Sequence, residues 1–313
     1  MASIYVNEID VGEHKHMLKL SIGICAFNEE GNIRNLLLAL SKQARANFDL
    51  VEIIVNSDGS QDETVSESNA AVVREVAVLD NPDRKGKSFR QQQIFNCYSG
   101  DVLLMLDADI LPKDTNFLSQ VLAPFMNSPA VGLVSCPLEP LPANTLVGNI
   151  LNFSVQLKEE LLRENNHADN IYACHGPVRA FRRALTVLHE KDIVVSEDAY
   201  SYLLCKSKGF QFAYVTGTFV WFRSPQTLAD HFTQSTRFTK GQEGLATIFG
   251  TDIVRHAHAI PFSVQLRVLL RNFFKHPVHF IEYLTIFFVS KFWAWRTTGQ
   301  GTVWDIAKSS KKL

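Results

Sequence analysis

The chain has 313 residues, 46% of them hydrophobic, and a formal net charge of −1. That length buries a core for one large domain, or one domain with an appendage, and the near-neutral balance excludes a nucleic-acid binder held by bulk positive charge. The charge is unevenly spread: from Arg255 onward nine Lys and Arg stand against Glu282 and Asp305, a net of +7 on a body of −8, and such a tail favours an anionic surface.

Leu18 to Phe27 reads as a buried strand, followed by Asn28 as N-cap with Glu29 and Glu30 in the first helical turn, where the helix dipole favours acids. Ile33, Leu36, Leu37 and Leu40 then share one helical face. Val51 to Val55 is the second expected strand, Asp62 to Asn69 a short helix, Val72 to Leu79 a third strand, and Lys87 to Tyr98 a helix. Val102 to Leu106 forms the next strand and delivers Asp107 and Asp109. This alternation predicts a mostly parallel sheet flanked by helices, with ligands at the carboxyl ends of its strands. The Pro-rich stretch Cys136 to Asn144 marks the expected boundary between a first half, 1–140, and a second, 141–255, before an extension, 256–313.

Cys25, Cys97, Cys136, Cys174 and Cys205 are widely spaced with no CxxC pair, the usage of a reducing compartment rather than of a disulfide framework or zinc site. Met1 to Lys19 carries charges throughout and no apolar core, so no secretory signal is visible and a cytoplasmic location is expected.

The sharpest motif is Asp107-Ala108-Asp109 at the end of an apolar strand. Side chains at i and i+2 leave a strand on the same side, so both acids face one point, as a hard cation such as Mg²⁺ or Mn²⁺ and a phosphorylated substrate require. Ser57-Asp58-Gly59-Ser60 closes the second strand; Asp58 there accepts from a base or ribose, or makes an Asx-turn for the next helix. Lys85-Gly86-Lys87-Ser88 is no P-loop, because Asn81 stands where the first glycine belongs, but it leaves a basic turn with Lys87 at a helix N-terminus, suited to a phosphate or ribose. Ser196-Glu197-Asp198 opens a helix and offers a capping acid or a general base. Gln234 and Arg237 share a helical face, and the Arg fork suits a diphosphate.

Phe27-Asn28-Glu29-Glu30, Ser57-Asp58-Gly59-Ser60, Asp107-Ala108-Asp109, Glu197-Asp198 and Gln234 with Arg237 follow one another in a single order. In that order, over about Lys19 to Gly241, the chain resembles glycosyltransferase family 2, inverting enzymes of glycosyltransferase A fold that use a nucleotide diphosphate sugar. The resemblance implies that Phe27, Glu29 and Asp58 hold base and ribose, that Asp107 lies near the nucleotide sugar, and that Asp109 binds the metal, with Asp107 its second candidate ligand. It implies Asp198 as catalytic base, with Glu197 the next candidate, and matches Gln234 and Arg237 to a Gln-x-x-Arg-Trp element. His175-Gly176 before Phe181-Arg182-Arg183 resembles the family's glycine-then-Phe-Arg-Arg element, in which Gly176 lets the backbone approach the donor sugar; an ordinary strand turn reads equally well. Cys25, Ser57 and Phe238 depart from the frequent Pro, Asp and Trp.

From Pro277 to Arg296 the chain is rich in Phe, Trp, Ile and Leu. His279, Glu282 and Lys291 interrupt what a span of about 20 apolar residues needs. At roughly 100° per residue, Lys275, His279, Glu282, Thr285, Ser290 and Arg296 fall within about 140°, which predicts an amphipathic helix. With Trp293, Trp295 and Trp304 and then Lys308, Lys311 and Lys312, it fits a helix lying on an anionic membrane; packing on the domain or a dimer interface is the other reading. The expected function is a metal-dependent hexosyltransferase, UDP-sugar favoured, acting on a hydroxyl acceptor at the cytoplasmic membrane face. A haloacid-dehalogenase-like phosphatase, which also uses Asp-x-Asp at a strand end, and a catalytically silent membrane-bound binding module are the alternatives.

Overall fold

A computed structural model describes residues 17–71, 73–186 and 196–296, the side chains of 235–243 and 293–296 excepted. The elements run β1 (Leu18–Ala26), α1 (Ile33–Ser41), β2 (Phe48–Ser57), α2 (Thr64–Ala70), β3 (Val76–Leu79), α3 (Lys87–Cys97), β4 (Val102–Asp107) and β5 (Ile110–Pro112). They continue with α4 (Phe117–Asn127), β6 (Val131–Ser135), β7 (Leu138–Pro140), α5 (Leu146–Glu164), β8 (Val178–Arg182), α6 (Glu197–Ser207), β9 (Gln211–Tyr214) and β10 (Val220–Phe222). Four helices close the described chain: α7 (Leu228–Phe249), α8 (Thr251–Ala257), α9 (Phe262–Lys275) and α10 (Pro277–Arg296).

Seven strands form one sheet in the order β3-β2-β1-β4-β8-β6-β9, parallel except where β8 runs against β4 and β6. A second sheet, β5-β10-β7, hangs beyond the end of β4. The apolar runs are strands because both of their faces are covered. Leu20, Ile22 and Ile24 of β1 and Leu104 and Leu106 of β4 pack with Leu36, Leu37, Phe117 and Leu118 on one side. Leu103 and Met105 of β4 pack with Ile94 and Phe95 of α3 on the other. β8, from the second half of the chain, lies between β4 and β6, so both halves share one sheet.

The expected parallel sheet is present, with two local differences. The first helix starts at Ile33 and not after Asn28. Asn28 takes a left-handed conformation (φ 52°), and the Glu29 carbonyl accepts the amides of Asn32 and Ile33, so 28–32 is a turn laid against the β2 loop. Asn28 donates its amide to Ser60 Oγ, and its Oδ1 accepts from the Gln61 amide. The third strand begins at Val76; Val72 lies outside the described residues.

α10 is a helix of 20 residues, packed on α5, α7 and α9, but one polar arc does not divide it. Phe280, Ile286 and Ser290 are buried, whereas Val278, Ile281, Phe288, Val289 and Phe292 are exposed. Apolar side chains therefore occupy both its packed and its outer face, and Ser290 turns inward to donate to the Ile286 carbonyl. No helix among the described residues is long and apolar enough to cross a membrane. Trp293, Trp295, Trp304, Lys308, Lys311 and Lys312 lie outside the described side chains.

Candidate active site

The parallel strands β1, β2 and β4 bring their carboxyl ends together, and in this register Cys25 stands beside both Asn56 and Asp107. Asp107 closes β4, and Ala108 and Asp109 form the turn into β5. Asp107 and Asp109 are both half-buried. Lys87, the first residue of α3, places Nζ 2.6 Å from Asp107 Oδ1. Burial alone lowers the proton affinity of Lys87, yet the charges of Asp107 and Glu197 outweigh it and hold the ammonium above its usual range. Cys25 is pushed up to about 12, first by burial, so its thiol is neutral.

Glu197 is 5% exposed. Ser88 Oγ donates to its Oε1 at 3.2 Å, and its charge acts on Lys87. Lys87 is thus acted on by an acid of the β4 end and an acid of α6, two residues 90 positions apart.

Asp58 is enclosed. Its Oδ1 accepts from Arg90 Nε at 2.8 Å and from the Lys85 amide at 2.7 Å, and its Oδ2 from the Gly86 amide at 2.9 Å. The approach depends on Gly59, at φ +70°, where a Cβ would lie 2.9 Å from the Asp83 carbonyl carbon, closer than side chains tolerate. The basic turn before α3 therefore already holds an anion, and that anion is a carboxylate of the chain itself. Arg90 is buried with it, and a buried pair of this kind is costly to break from one side. Glu29, also buried, accepts from Asn32 Nδ2 through Oε2 and donates its amide to Thr64 Oγ1. Phe27 is half-buried with the Arg84 guanidinium 4.1 Å over its ring.

Asp198, at the start of α6, accepts on Oδ1 from Ser196 Oγ and from the Ala199 amide, both at 2.8 Å. Its Oδ2 faces Gly176, where a Cβ would stand 3.8 Å away. The turn carrying Gly176 is tied to the acidic strand end, because the Asp107 amide donates to the Pro177 carbonyl. Structure thus brings together Lys87, Asp107, Glu197, Asp198 and Gly176, with Asp109 at the next turn. Gln234 is half-buried on α7, and the side chain of Arg237 lies outside the described ones. The Phe-Arg-Arg triplet is structural: Arg182 bonds the Val131 carbonyl and Arg183 the Gly100 carbonyl.

Sequence reasoning missed Arg90, Ser88 and a chain of polar groups beside Gly176. Tyr214 hydroxyl donates to Glu159 Oε2 at 2.8 Å and lies 3.1 Å from His175 Nε2. Glu159 and Tyr214 come from α5 and β9, with no local motif to mark them. Arg90, four residues into a helix with Asp58 far upstream, is equally silent. Only His175 had a signal, its place next to Gly176.

A hard divalent cation suits the carboxylate oxygens that Asp109 offers at this edge. Among the described residues no group of three or more His, Cys, Asp or Glu forms a metal site by itself.

A mostly parallel sheet with one antiparallel insertion, a small second sheet and an Asp-x-Asp turn between them define a glycosyltransferase A fold. The sequence profile of Glycosyl transferase family 2 matches residues 21–187. The chain belongs to that family. Glucosyl-3-phosphoglycerate synthase of Mycolicibacterium smegmatis is 29% identical over 119 residues, 37% of this chain and 39% of that protein. The probable glycosyltransferase YdaM of Bacillus subtilis is 27% identical over 241 residues, 73% of this chain and 56% of YdaM. These matches thus span about two-fifths to a little over half of the curated relatives' length. Among solved structures, the mannosyltransferase PcManGT from Pyrobaculum calidifontis, in complex with GDP-Man and Mn²⁺, superposes with a TM-score of 0.57 at 16% identity, covering 89% of this chain and 84% of that one. Glucosyl-3-phosphoglycerate synthase from Mycobacterium tuberculosis, with Mn²⁺, UDP and glucosyl-3-phosphoglycerate, gives 0.50 at 16% identity, covering 74% and 80%. The family and fold leave no place for the haloacid-dehalogenase alternative.

Proposed function

We propose that this chain is an inverting, metal-dependent hexosyltransferase that moves a sugar from a nucleotide diphosphate sugar, UDP-linked in the favoured case, to a hydroxyl acceptor. The observation that carries the reading is the meeting of Asp198 Oδ2 with Gly176, on a turn bonded to the Asp107 amide: a proton-accepting carboxylate stands over the strand end that offers metal-ligating oxygen.

Asp198 takes the proton of the acceptor hydroxyl, that oxygen attacks the anomeric carbon from the face opposite the diphosphate, and the bond from that carbon to the diphosphate oxygen breaks. The Ser196 hydroxyl and the Ala199 amide hold Oδ1, which leaves Oδ2 for the acceptor. Asp109 would hold a divalent cation, Mn²⁺ or Mg²⁺, which would supply charge neutralisation on the leaving diphosphate. Asp107 contributes through its pairing with Lys87, and Glu197 is assigned to the same buried charge group and not to proton transfer. Phe27 offers a ring for the base, with Glu29 and Asp58 bracing the loops around it. Gln234 and Arg237 are assigned to the diphosphate side. Residues 1–140 and 141–255 act as donor and acceptor halves.

The partner surface of this proposal is an anionic membrane, met on its cytoplasmic face. Phe262, Phe274, Val278, Ile281, Phe288 and Phe292 are exposed on α9 and α10, helices that also carry Lys275 and, paired with Glu164, Arg267 and Arg271; exposed apolar area with basic residues along the same helices suits an interface of anionic lipid.

A panel of UDP-, GDP- and dTDP-sugars, screened for Mn²⁺-dependent thermal stabilisation, tests the donor assignment, since a ligand of the native state alone raises apparent stability. Stabilisation by one nucleotide sugar only with Mn²⁺ is expected; none across the panel overturns it.

A further inference from the structure

The polar chain beside Gly176 has a defined direction. Tyr214 hydroxyl carries one proton and gives it to Glu159, at 2.8 Å from Oε2 and 3.0 Å from Oε1. Its oxygen then accepts, so the contact of 3.1 Å to His175 Nε2 is a bond donated by that nitrogen. A neutral imidazole with the proton on Nε2 keeps its lone pair on Nδ1. Burial pushes the proton affinity of His175 down, against the opposing charges of Glu159 and Asp198, so neutrality is the favoured state. Backbone contacts fix the ring's position: the His175 amide donates to Ser135 Oγ, which donates to the Val178 carbonyl. Arg163 pairs with Glu159 at 2.6 Å, and the chain ends there. His175 and Glu159 side chains retain 16% and 13% exposure, so the cluster opens to solvent.

We propose that His175 binds the sugar-accepting molecule through Nδ1, receiving a hydroxyl that neighbours the one Asp198 deprotonates, and that Tyr214 and Glu159 are positioning residues that hold this tautomer. The proposal rests on Asp198 being the base. The Asp198 charge acts on His175, and Asp198 Oδ2 faces Gly176, the next residue along the chain; a carboxylate oxygen and an imidazole lone pair present two acceptors and no donor, which is complementary to a neutral polyhydroxyl compound carrying adjacent hydroxyls. Among the described residues, an anionic acceptor such as phosphoglycerate meets no cation in this cluster except Arg163, already paired with Glu159.

The test uses the full chain labelled with ¹⁵N-histidine, its donor side filled with UDP and Mg²⁺, with glycerol as neutral polyol probe. Wild type is expected to show His175 Nε2 as the protonated nitrogen and Nδ1 as the unprotonated one, and glycerol to shift the Nδ1 signal. Tyr214→Phe should mix the two tautomers and weaken the glycerol response about fivefold to tenfold, the scale of one hydrogen bond. Glu159→Gln, whose amide oxygen still accepts from Tyr214, should keep the wild-type pattern, a rescue that loss of packing does not give. An unchanged tautomer in Tyr214→Phe overturns the positioning role. A wild-type Nδ1 signal insensitive to glycerol, or one moved by 3-phosphoglycerate instead, overturns the acceptor assignment. None of these signals needs turnover, so they are independent of Asp198→Asn, whose retained transfer would move the base elsewhere.

Discussion

The strand ends of the large sheet and the α9–α10 pair break opposite rules of burial. At the strand ends charges lie inside or half-buried: Arg90 with Asp58 buried, and Lys87 half-buried under the charges of Asp107 and Glu197. On α9 and α10 apolar side chains are outside, with Phe262 74% and Phe274 77% exposed. Buried ion pairs bring little net stability over apolar packing but are costly to break singly, and exposed apolar area costs solubility. The Arg90–Asp58 pair is answered within the chain and holds the loop before α3, whereas the Lys87 group and the exposed apolar side chains are the parts assigned above to ligands, a nucleotide sugar and a lipid surface in turn.

The largest effect expected on the first region is on rate. Asp198→Asn should lower transfer by about 10²–10⁴-fold with donor affinity unchanged, because only the proton acceptor is lost. Turnover close to wild type, measured as nucleotide release, would move the base elsewhere, with Glu197 the next candidate.

Next comes stability. Arg90→Ala leaves Asp58 buried without its cation and should cost about 3–5 kcal/mol in a urea melt. A loss below about 1 kcal/mol would mean that the loop amides of Lys85 and Gly86 satisfy Asp58 alone.

Asp109→Asn should fold normally and lose Mn²⁺-dependent donor binding, since a charged metal-ligating oxygen becomes an amide. Calorimetry with the metal present decides it: wild-type donor affinity sinks the assignment.

Acid should weaken the protein through two histidines. His175 is held below 6.5 and His231 falls to about 4, each first by burial. A lowered value means that below 6.5 the unfolded chain binds more protons than the folded one, so stability falls as pH drops from 6.5 toward about 4. Melting temperatures across that window check the sign, and His231→Gln should flatten the slope.

The smallest change in stability is expected on the helices. Serine at Phe274, Val278 and Phe288 should shift the fold by no more than about 0.5 kcal/mol per site, as exposed substitutions do, yet reduce sedimentation with anionic vesicles. Attachment should also weaken at high salt. If the triple variant sediments like wild type, the exposed face does not meet lipid.

The parallel sheet, the ends of β1, β2 and β4, and the opening of α6 at Glu197 were all legible in the residues. Continuous apolar runs closed by polar turns have one stable arrangement, buried on both faces with their polar ends at one edge. The Asp-x-Asp turn and the Ser-Glu-Asp start are local, so spacing reveals them. β5, β7 and β10 were not legible: three-residue strands carry no period and exist only by pairing with each other. The polar arc of α10 was legible yet incomplete, because it counts angles around one helix and cannot show that Ser290 packs inward while Phe288 and Phe292 face out. Partners far apart along the chain lay beyond any pattern: Arg90 for Asp58, Glu197 for Lys87, Glu159 and Tyr214 for His175. Sequence determines which groups can ionise or donate, because that is chemistry of single residues. Which of them meet in low dielectric, and so which charges are already answered and which remain for a ligand, depends on distances that only the packed sheet and helices set.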